Sequence, residues 1–271
     1  METYRRIVVK VGTSTLTRDN GSIDLRNVDH LARVLSDLHG RGHEIILVSS
    51  GAIGVGVGKL GLAERPSELR RKQAVAAVGQ CEMMHIYDKF FGEYGRTVAQ
   101  ILLTDEDVDH PRRAEHLENT FAALLELGCI PIVNENDSVS SAEIETGKCK
   151  VLGDNDTLSA IVARLVKADL LVLLSDIDGL YDADPRQNPE ARLIHRVTAV
   201  TRELRRSAGG AGTSRGTGGM QTKLNAAETA LAAGVEMVIT NGAHPERMYD
   251  IVEGRDTGTR FVPARVLCGG G

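Results

Sequence analysis

Short apolar runs recur along the chain, and polar or glycine-rich segments separate them. These runs have the length and the Val, Ile and Leu content of buried β-strands. They cover residues 7–11, 44–48, 97–103, 129–133, 170–174, 236–240 and 258–262. The run 170–174 is wholly apolar, which is typical of a central strand that is covered on both faces.

Helical periodicity fills most of the segments between these strands. Apolar residues recur at intervals of three and four over the ranges 24–39, 67–91, 113–127, 158–166 and 245–252, and a further helix begins at residue 220 or 221. The alternation of strand and helix predicts an α/β fold with a parallel sheet covered on both faces. No internal repeat or change of composition divides the sequence, so we expect a single domain over residues 1–271.

Composition narrows the class of protein. A chain of 271 residues with 42% hydrophobic and 25% charged residues is ordinary for one α/β domain. No apolar run approaches the roughly 20 residues of a membrane span, and the N-terminus enters a strand directly, so we expect neither a membrane segment nor a signal peptide. The net charge of −5 argues against general nucleic-acid binding. The four cysteines show no metal-ligand spacing and predict reduced thiols in a cytoplasmic protein that holds no metal through its own ligands.

A glycine-rich segment precedes the helix that begins near Met220. The sequence Gly216-Thr217-Gly218-Gly219 combines backbone freedom with a helix N-terminus, and Lys223 adds a positive charge about one turn further on. Such a segment suits a phosphate group. It is not a Walker A loop, because Thr222 rather than glycine precedes the lysine. A flexible surface loop with a solvated lysine is the alternative interpretation.

Two other strand ends carry residues that suit an anion. Lys10 lies late in the first strand, where it either brings a charge to the ligand-binding edge of the sheet or snorkels at a sheet edge. The small residues Ser49-Ser50-Gly51 follow the second strand, with glycines at 54, 56 and 58 beyond them. These residues either hold an anion or permit close packing of helices.

Carboxylates and carboxamides cluster after two strands and before one helix. The clusters are Asn134-Glu135-Asn136-Asp137, Gly153-Asp154-Asn155-Asp156 and Ser175-Asp176. Turns and helix caps account for some of these residues. The functional alternative is a pocket for a small polar ligand that carries an amine, with a ribose contact at the third cluster. Because the carboxyl ends of parallel strands share one edge, we expect these clusters to lie near Lys10 and Lys223.

This mixture of charges suits phosphoryl transfer. Lysines and backbone N–H groups neutralise the moving phosphoryl group, Mg²⁺ accompanies the nucleotide, and an aspartate between the two lysines holds their ammonium groups in place. No histidine lies in these loops to serve as a general base. A carboxylate acceptor needs none, since a free carboxyl group with a pKa of ~4.3 is already ionised at neutral pH.

Taken together, the sequence resembles the amino acid kinase family, and within it the members that phosphorylate the γ-carboxylate of L-glutamate. Six segments carry the resemblance, occur in the family's order and cover essentially the whole chain. They are residues 9–14, 49–53, 134–137, 153–156, 178–186 and 216–223. The resemblance implies a three-layer αβα sandwich with a mainly parallel sheet. It also implies the ATP- and Mg²⁺-dependent formation of L-glutamyl 5-phosphate, the first step of proline biosynthesis.

The resemblance also assigns roles to individual residues. The residues expected to stabilise phosphoryl transfer are Lys10, Asp156 and Lys223. The residues expected to hold glutamate are Ser50, Gly51, Asn134, Asp137 and Asn155. Besides both lysines, the residues expected to hold ATP are Ser175, Asp176, Thr217, Gly218, Gly219 and Met220. The acceptor half would then span about residues 1–168 and the nucleotide half about residues 169–271.

Other expectations concern partners and departures from the family pattern. The resemblance implies feedback inhibition by L-proline, delivery of the product to glutamyl-phosphate reductase and assembly as a homo-oligomer. Many members carry a C-terminal PUA domain that we do not expect here, and the segment 143–152 is longer than usual. Two alternatives are a family kinase for acetylglutamate, aspartate, carbamate or UMP, and a non-catalytic sensor of nucleotides or amino acids.

Overall fold

The computed structural model describes residues 4–18, 22–140, 154–185, 187–207 and 219–263. Over these ranges the chain forms eight strands and ten helices. The strands are β1 (Arg6–Val11), β2 (Glu44–Ser49), β3 (Val98–Leu103), β4 (Ile130–Glu135), β5 (Leu170–Ser175), β6 (Arg196–Val197), β7 (Glu236–Asn241) and β8 (Thr259–Phe261). The helices are α1 (Thr13–Leu16), α2 (Leu25–Gly40), α3 (Ala52–Leu60), α4 (Leu69–Glu93), α5 (Asp105–Asp109), α6 (Pro111–Glu126), α7 (Asn155–Leu165), α8 (Arg202–Ser207), α9 (Met220–Ala232) and α10 (Arg247–Val252). None of the helices in these ranges is both long and apolar enough to cross a bilayer.

One sheet contains all eight strands in the order β3-β4-β2-β1-β5-β7-β8-β6. The six strands from β3 to β7 in this order pair in parallel. The short strand β8 pairs antiparallel with β7, and β6 runs parallel to β8. The prediction of a mainly parallel sheet is therefore confirmed, with a small antiparallel addition at one end.

The two faces of the sheet are buried under different helices, as side-chain alternation along each strand requires. In β1, Val8 joins a core with residues of α6, α7 and α9. Its neighbours Ile7 and Val9 join the opposite core, with residues of α2, α3, α4 and α10. These two cores confirm the predicted three-layer αβα arrangement.

Most predicted elements are present, with ends that differ by a few residues. The sequence analysis did not predict the short elements β6, α1, α5 and α8. It also left open the role of the glycines at 54, 56 and 58, and the structure places them within α3. A methyl group on Gly56 would lie 2.0 Å from the Val75 carbonyl oxygen of α4, so close helix packing is the correct interpretation at that position.

Candidate active site

The residues singled out above converge where the order of the sheet reverses. β1 lies between β2 and β5, so the chain builds one side of the sheet from β2 to β4 and then crosses to β5 on the other side. In open α/β sheets, ligands bind in the crevice at the carboxyl ends of the strands at such a point. Lys10 stands near the carboxyl end of β1, opposite Val48 and Leu173 of the flanking strands.

A buried lysine–aspartate–lysine cluster lies at this edge. Lys10 Nζ is 2.7 Å from Asp156 Oδ1, and Lys223 Nζ is 3.0 Å from Asp156 Oδ2. Lys10 is 9% exposed, Asp156 is 1% exposed and Lys223 is 5% exposed. Their charges are therefore almost fully removed from water. The structure thus brings together the three residues that the sequence analysis assigned to phosphoryl transfer.

Local structure explains why these side chains meet. Lys10 alternates with Val9 along β1 and therefore faces the same side as Val8, where α7 and α9 pack. Asp156 lies in the first turn of α7, and Lys223 lies in the first turns of α9. The β1 strand and the two helix N-termini consequently direct the three side chains to one point.

Two neighbours hold the Asp156 carboxylate in position. Asp154 caps α7, and its Oδ1 accepts hydrogen bonds from the backbone N–H groups of Asp156 at 2.8 Å and Thr157 at 3.0 Å. The Thr222 hydroxyl donates to Asp156 Oδ2 at 2.9 Å. The two hydrogen bonds to Asp154 identify it as the cap of α7, so capping does not account for Asn155 and Asp156.

The electrostatics of the cluster are set by the two lysines. Burial alone would raise the pKa of Asp156, but the charges of Lys10 and Lys223 outweigh burial and lower that pKa to about 2. The carboxyl group is therefore ionised at neutral pH. With two ammonium groups and one carboxylate, the cluster carries one net positive charge, which suits the transfer of an anionic group.

A second group of polar side chains adjoins the cluster on the β2–β4 side. Asn155 Nδ2 donates a hydrogen bond to Ser50 Oγ at 2.8 Å and lies 3.4 Å from Asn134 Oδ1. Gly51 caps α3 with a φ of +98°, a left-handed conformation that favours glycine. The structure therefore brings together four of the residues assigned to the acceptor substrate. Asp137, the fifth, is half-buried in the turn that follows β4.

Helix α4 contributes two buried residues that the sequence analysis missed. Gln80 Oε1 accepts a hydrogen bond from Asn134 Nδ2 at 3.0 Å, and the Tyr87 hydroxyl lies 2.7 Å from Ser49 Oγ. Burial raises the pKa of Tyr87 above its usual range, so its hydroxyl stays neutral. The sequence feature that could have identified Gln80 is a polar residue next to Gly79 among the buried positions of a long helix.

The residues assigned to the nucleotide lie on the other side of Lys10. Ser175 ends β5 and its hydroxyl donates to Oδ1 of the exposed Asp176 at 3.1 Å. Gly219 is the N-cap of α9, and Met220 is its first residue. Thr217 and Gly218 were also assigned to ATP. They fall in the segment 208–218, which lies outside the described residues, as does the segment 141–153.

The carboxylates that the structure describes do not gather as a metal-binding set. In the described ranges, no group of three or more His, Cys, Asp or Glu side chains has the arrangement of a metal site. At Asp156, each carboxylate oxygen already contacts an ammonium group.

Two buried lysines at the switch point of an open α/β sheet suit phosphoryl transfer, and the chain belongs to the amino acid kinase family, whose sequence model matches residues 5–241. The curated relatives are more specific. The chain is 56% identical over 258 residues to the glutamate 5-kinase of Clostridium perfringens, covering 95% of each chain. It is 55% identical over 261 residues to that of Clostridium tetani, covering 96% of each. These identities confirm the resemblance stated from the sequence.

A solved structure supports the fold independently. The carbamate kinase from Giardia lamblia bound to AMP-PNP matches with a TM-score of 0.67 at 16% sequence identity, over 96% of this chain and 99% of that one. At this identity the match shows the fold alone. The prediction of an amino acid kinase fold is confirmed.

Proposed function

We propose that this chain transfers the γ-phosphoryl group of ATP to the γ-carboxylate of L-glutamate, forming L-glutamyl 5-phosphate and ADP as the first step of proline biosynthesis. The observation that carries the proposal is the buried cluster of Lys10, Asp156 and Lys223 beside the Ser50–Asn155 pair. Identity above one half to glutamate 5-kinases supports the choice of glutamate.

The reaction needs charge neutralisation more than it needs proton transfer. A γ-carboxylate oxygen attacks the γ-phosphorus in line, a new O–P bond forms, and the bond to the β,γ-bridging oxygen breaks to release ADP. No proton moves, because the acceptor is already ionised. Lys10 and Lys223 supply positive charge on either side of the Asp156 carboxylate, where it offsets repulsion between the carboxylate acceptor and the triphosphate.

Asp156 acts as the organiser of the lysines and not as a base. With a pKa of about 2, it is a weak proton acceptor at neutral pH. Its two oxygens contact different ammonium groups, so it fixes the separation of the two lysines before either substrate binds. A preorganised pair of cations spends no energy on reorientation during the reaction.

Mg²⁺ is proposed to arrive on the ATP phosphates. Since both oxygens of Asp156 already contact ammonium groups, the triphosphate itself offers the more accessible oxygen ligands for this hard cation. Bound there, Mg²⁺ would neutralise charge on the β- and γ-phosphates.

The acceptor is proposed to bind over the β2 and β4 ends and the nucleotide over the β5 and β7 ends. Ser50, Gly51, Asn134 and Asn155 line the first region, and Asp137 is assigned to the α-ammonium group of glutamate. An N-acylated substrate lacks that charge, so Asp137 would select free glutamate. The corresponding halves are about residues 1–168 and 169–271, with Ser175, Asp176 and residues 217–223 on the nucleotide side.

The family resemblance supports further proposals about context. L-Proline would inhibit by competing at or near the glutamate pocket. The acyl phosphate would pass to glutamyl-phosphate reductase, and the enzyme would work in the cytoplasm as a homo-oligomer.

The test is product trapping with hydroxylamine, which converts acyl phosphates to hydroxamates. The protein is incubated with MgATP and, in parallel, L-glutamate, N-acetyl-L-glutamate, L-aspartate, carbamate or UMP, with release of ADP measured in each. Hydroxamate with L-glutamate alone supports the proposal. ADP release with another acceptor identifies a different kinase of the family. ATP binding without turnover on any acceptor identifies a sensor.

A further inference from the structure

The buried side-chain amide of Gln80 connects helix α4 to the residues assigned to the acceptor substrate. Gln80 is 8% exposed and Asn134 is 2% exposed, so both carboxamides must find their hydrogen-bond partners within the protein. Gln80 Oε1 accepts from Asn134 Nδ2 at 3.0 Å. The adjacent Gly79 lets α4 pack closely against α3, because a methyl group there would lie 1.7 Å from the Ala52 carbonyl oxygen of α3.

A backbone group fixes which way the Asn134 carboxamide points. The N–H of Glu135 donates to Asn134 Oδ1 at 2.9 Å, and a backbone N–H can only donate. Asn134 Nδ2 must therefore face α4, where only an acceptor satisfies it. Gln80 Oε1 is that acceptor, so Gln80 and the Glu135 N–H impose the same orientation on Asn134.

The orientation of the Asn134 carboxamide in turn determines how Asn155 and Ser50 are hydrogen-bonded. Asn134 Oδ1 faces Asn155 Nδ2 at 3.4 Å, and Asn155 Nδ2 donates to Ser50 Oγ at 2.8 Å. Since Ser50 Oγ accepts this hydrogen bond, its own hydrogen remains available to donate. A hydroxyl donor beside Asn155 is what a carboxylate acceptor requires.

We propose that Gln80 is a positioning residue for the acceptor substrate, which acts through Asn134 and Asn155 to keep the Ser50 hydroxyl oriented as a hydrogen-bond donor to the substrate carboxylate. This inference rests on the proposed function for the identity of the acceptor. Without Gln80, the Asn134 amide loses its acceptor in a buried position, and a carboxamide in that state rotates or draws in water. The cost falls on acceptor binding and not on ATP binding.

The test is a double-mutant cycle between Gln80 and Asn134 in the full chain. Gln80→Met removes the acceptor at nearly constant volume, and Gln80→Asn keeps an amide that is too short to reach Asn134. The background variant is Asn134→Ala. The control is Met83→Leu, which alters a buried side chain of the same helix outside the polar network. For each variant the KM for glutamate, the KM for ATP, kcat and the thermal unfolding midpoint are measured.

We expect Gln80→Met to raise the KM for glutamate about tenfold, as the loss of roughly one hydrogen bond predicts, with the KM for ATP and kcat unchanged within about twofold. In the Asn134→Ala background the same substitution should add less than about twofold. If Gln80→Met does not fold, Gln80→Asn takes its place in the cycle with the same expectation. Met83→Leu should match the parent in all four measurements.

Three results would overturn the positioning role: an unchanged KM for glutamate, a KM for ATP that rises equally, or a full additional effect in the Asn134→Ala background. The hydroxylamine assay on the parent comes first. A parent that phosphorylates a different acceptor contradicts the proposed function alone, and the cycle is then run with the KM for that acceptor.

Discussion

Lys10 Nζ lies 2.7 Å from Asp156 Oδ1, and this ion pair joins the central strand of the sheet to the first turn of α7. Both groups are almost fully buried. A buried pair is costly to keep because both charges are taken out of water, and removing one member leaves an uncompensated buried charge. The second lysine on the same carboxylate gives the cluster a net positive charge, which supports the role proposed for it in phosphoryl transfer.

Removing either lysine should reduce catalysis while the fold persists. We expect Lys10→Ala and Lys223→Ala each to lower kcat by about 10²-fold or more, in line with the loss of a group that stabilises the transition state. Steady-state ADP release with glutamate measures the effect. Lys59→Ala is the control, because this lysine is exposed and forms its ion pair with Glu82, outside the cluster around Asp156. A fully active Lys10 or Lys223 variant would remove that lysine from the mechanism.

Asp156→Asn should change both turnover and the pH dependence of stability. The variant keeps the shape of the side chain but removes the charge that separates the lysines, so we expect kcat to fall by about 10²-fold. The folded-state pKa of about 2 lies below the ordinary value of 3.8. The ionised carboxylate therefore contributes stability that is fully present above about pH 4 and is lost as the pH falls towards 2.

Denaturant unfolding at several pH values measures this contribution. The difference in the free energy of unfolding between the parent and Asp156→Asn should shrink by on the order of 2 kcal/mol between about pH 5 and about pH 2. A difference that stays constant with pH would show that the lysines do not lower the pKa of Asp156.

Asp137→Ala should act on one substrate only. If Asp137 holds the α-ammonium group of glutamate, the variant raises the KM for glutamate much more than the KM for ATP. Asp109→Ala, at an exposed position of α5, is the matched control and should leave both values unchanged. Equal increases in the two KM values would instead point to a structural role for Asp137.

Two glycines of α4 offer a matched pair for the helix contact beneath the acceptor region. An added methyl group at Gly79 would lie 1.7 Å from the Ala52 carbonyl oxygen, whereas at Gly92 it would meet no atom within 4 Å. We expect Gly79→Ala to destabilise the protein by about 1–3 kcal/mol and to raise the KM for glutamate. Gly92→Ala should be neutral or stabilising by up to about 1 kcal/mol. Equal thermal midpoints for the two variants would contradict the close contact.

The sequence predicts the parts of this site that lie at a strand end or near a helix start. Lys10 is conspicuous because it is charged within an apolar run. Asp156 lies just before the predicted helix 158–166, and Lys223 follows the predicted helix start at residue 220 or 221. The shared edge of a parallel sheet then implies that they meet. Their ion-pair distances, and the side of the sheet on which Lys10 lies, required the structure.

Other features of the fold and the site could not be predicted, because no local sequence pattern accompanies them. Gln80 lies inside a long helix, and its partner Asn134 is 54 positions away in the sequence, so only the fold brings them together. The antiparallel β8 has the same apolar pattern as a parallel strand. The two-residue β6 is too short for its periodicity to be recognised.

The most direct test of the central claim follows one oxygen atom. L-Glutamate labelled with ¹⁸O in its γ-carboxylate is incubated with the protein and MgATP, and the acyl phosphate is allowed to cyclise by attack of its α-amino group on the carbonyl carbon. That step breaks the C–O bond and releases inorganic phosphate. If the γ-carboxylate oxygen attacks the γ-phosphorus, mass spectrometry will find one ¹⁸O atom in each phosphate derived from ATP in step with ADP formation. Unlabelled phosphate from the parent enzyme, at the same rate of ADP release, would contradict transfer to the carboxylate.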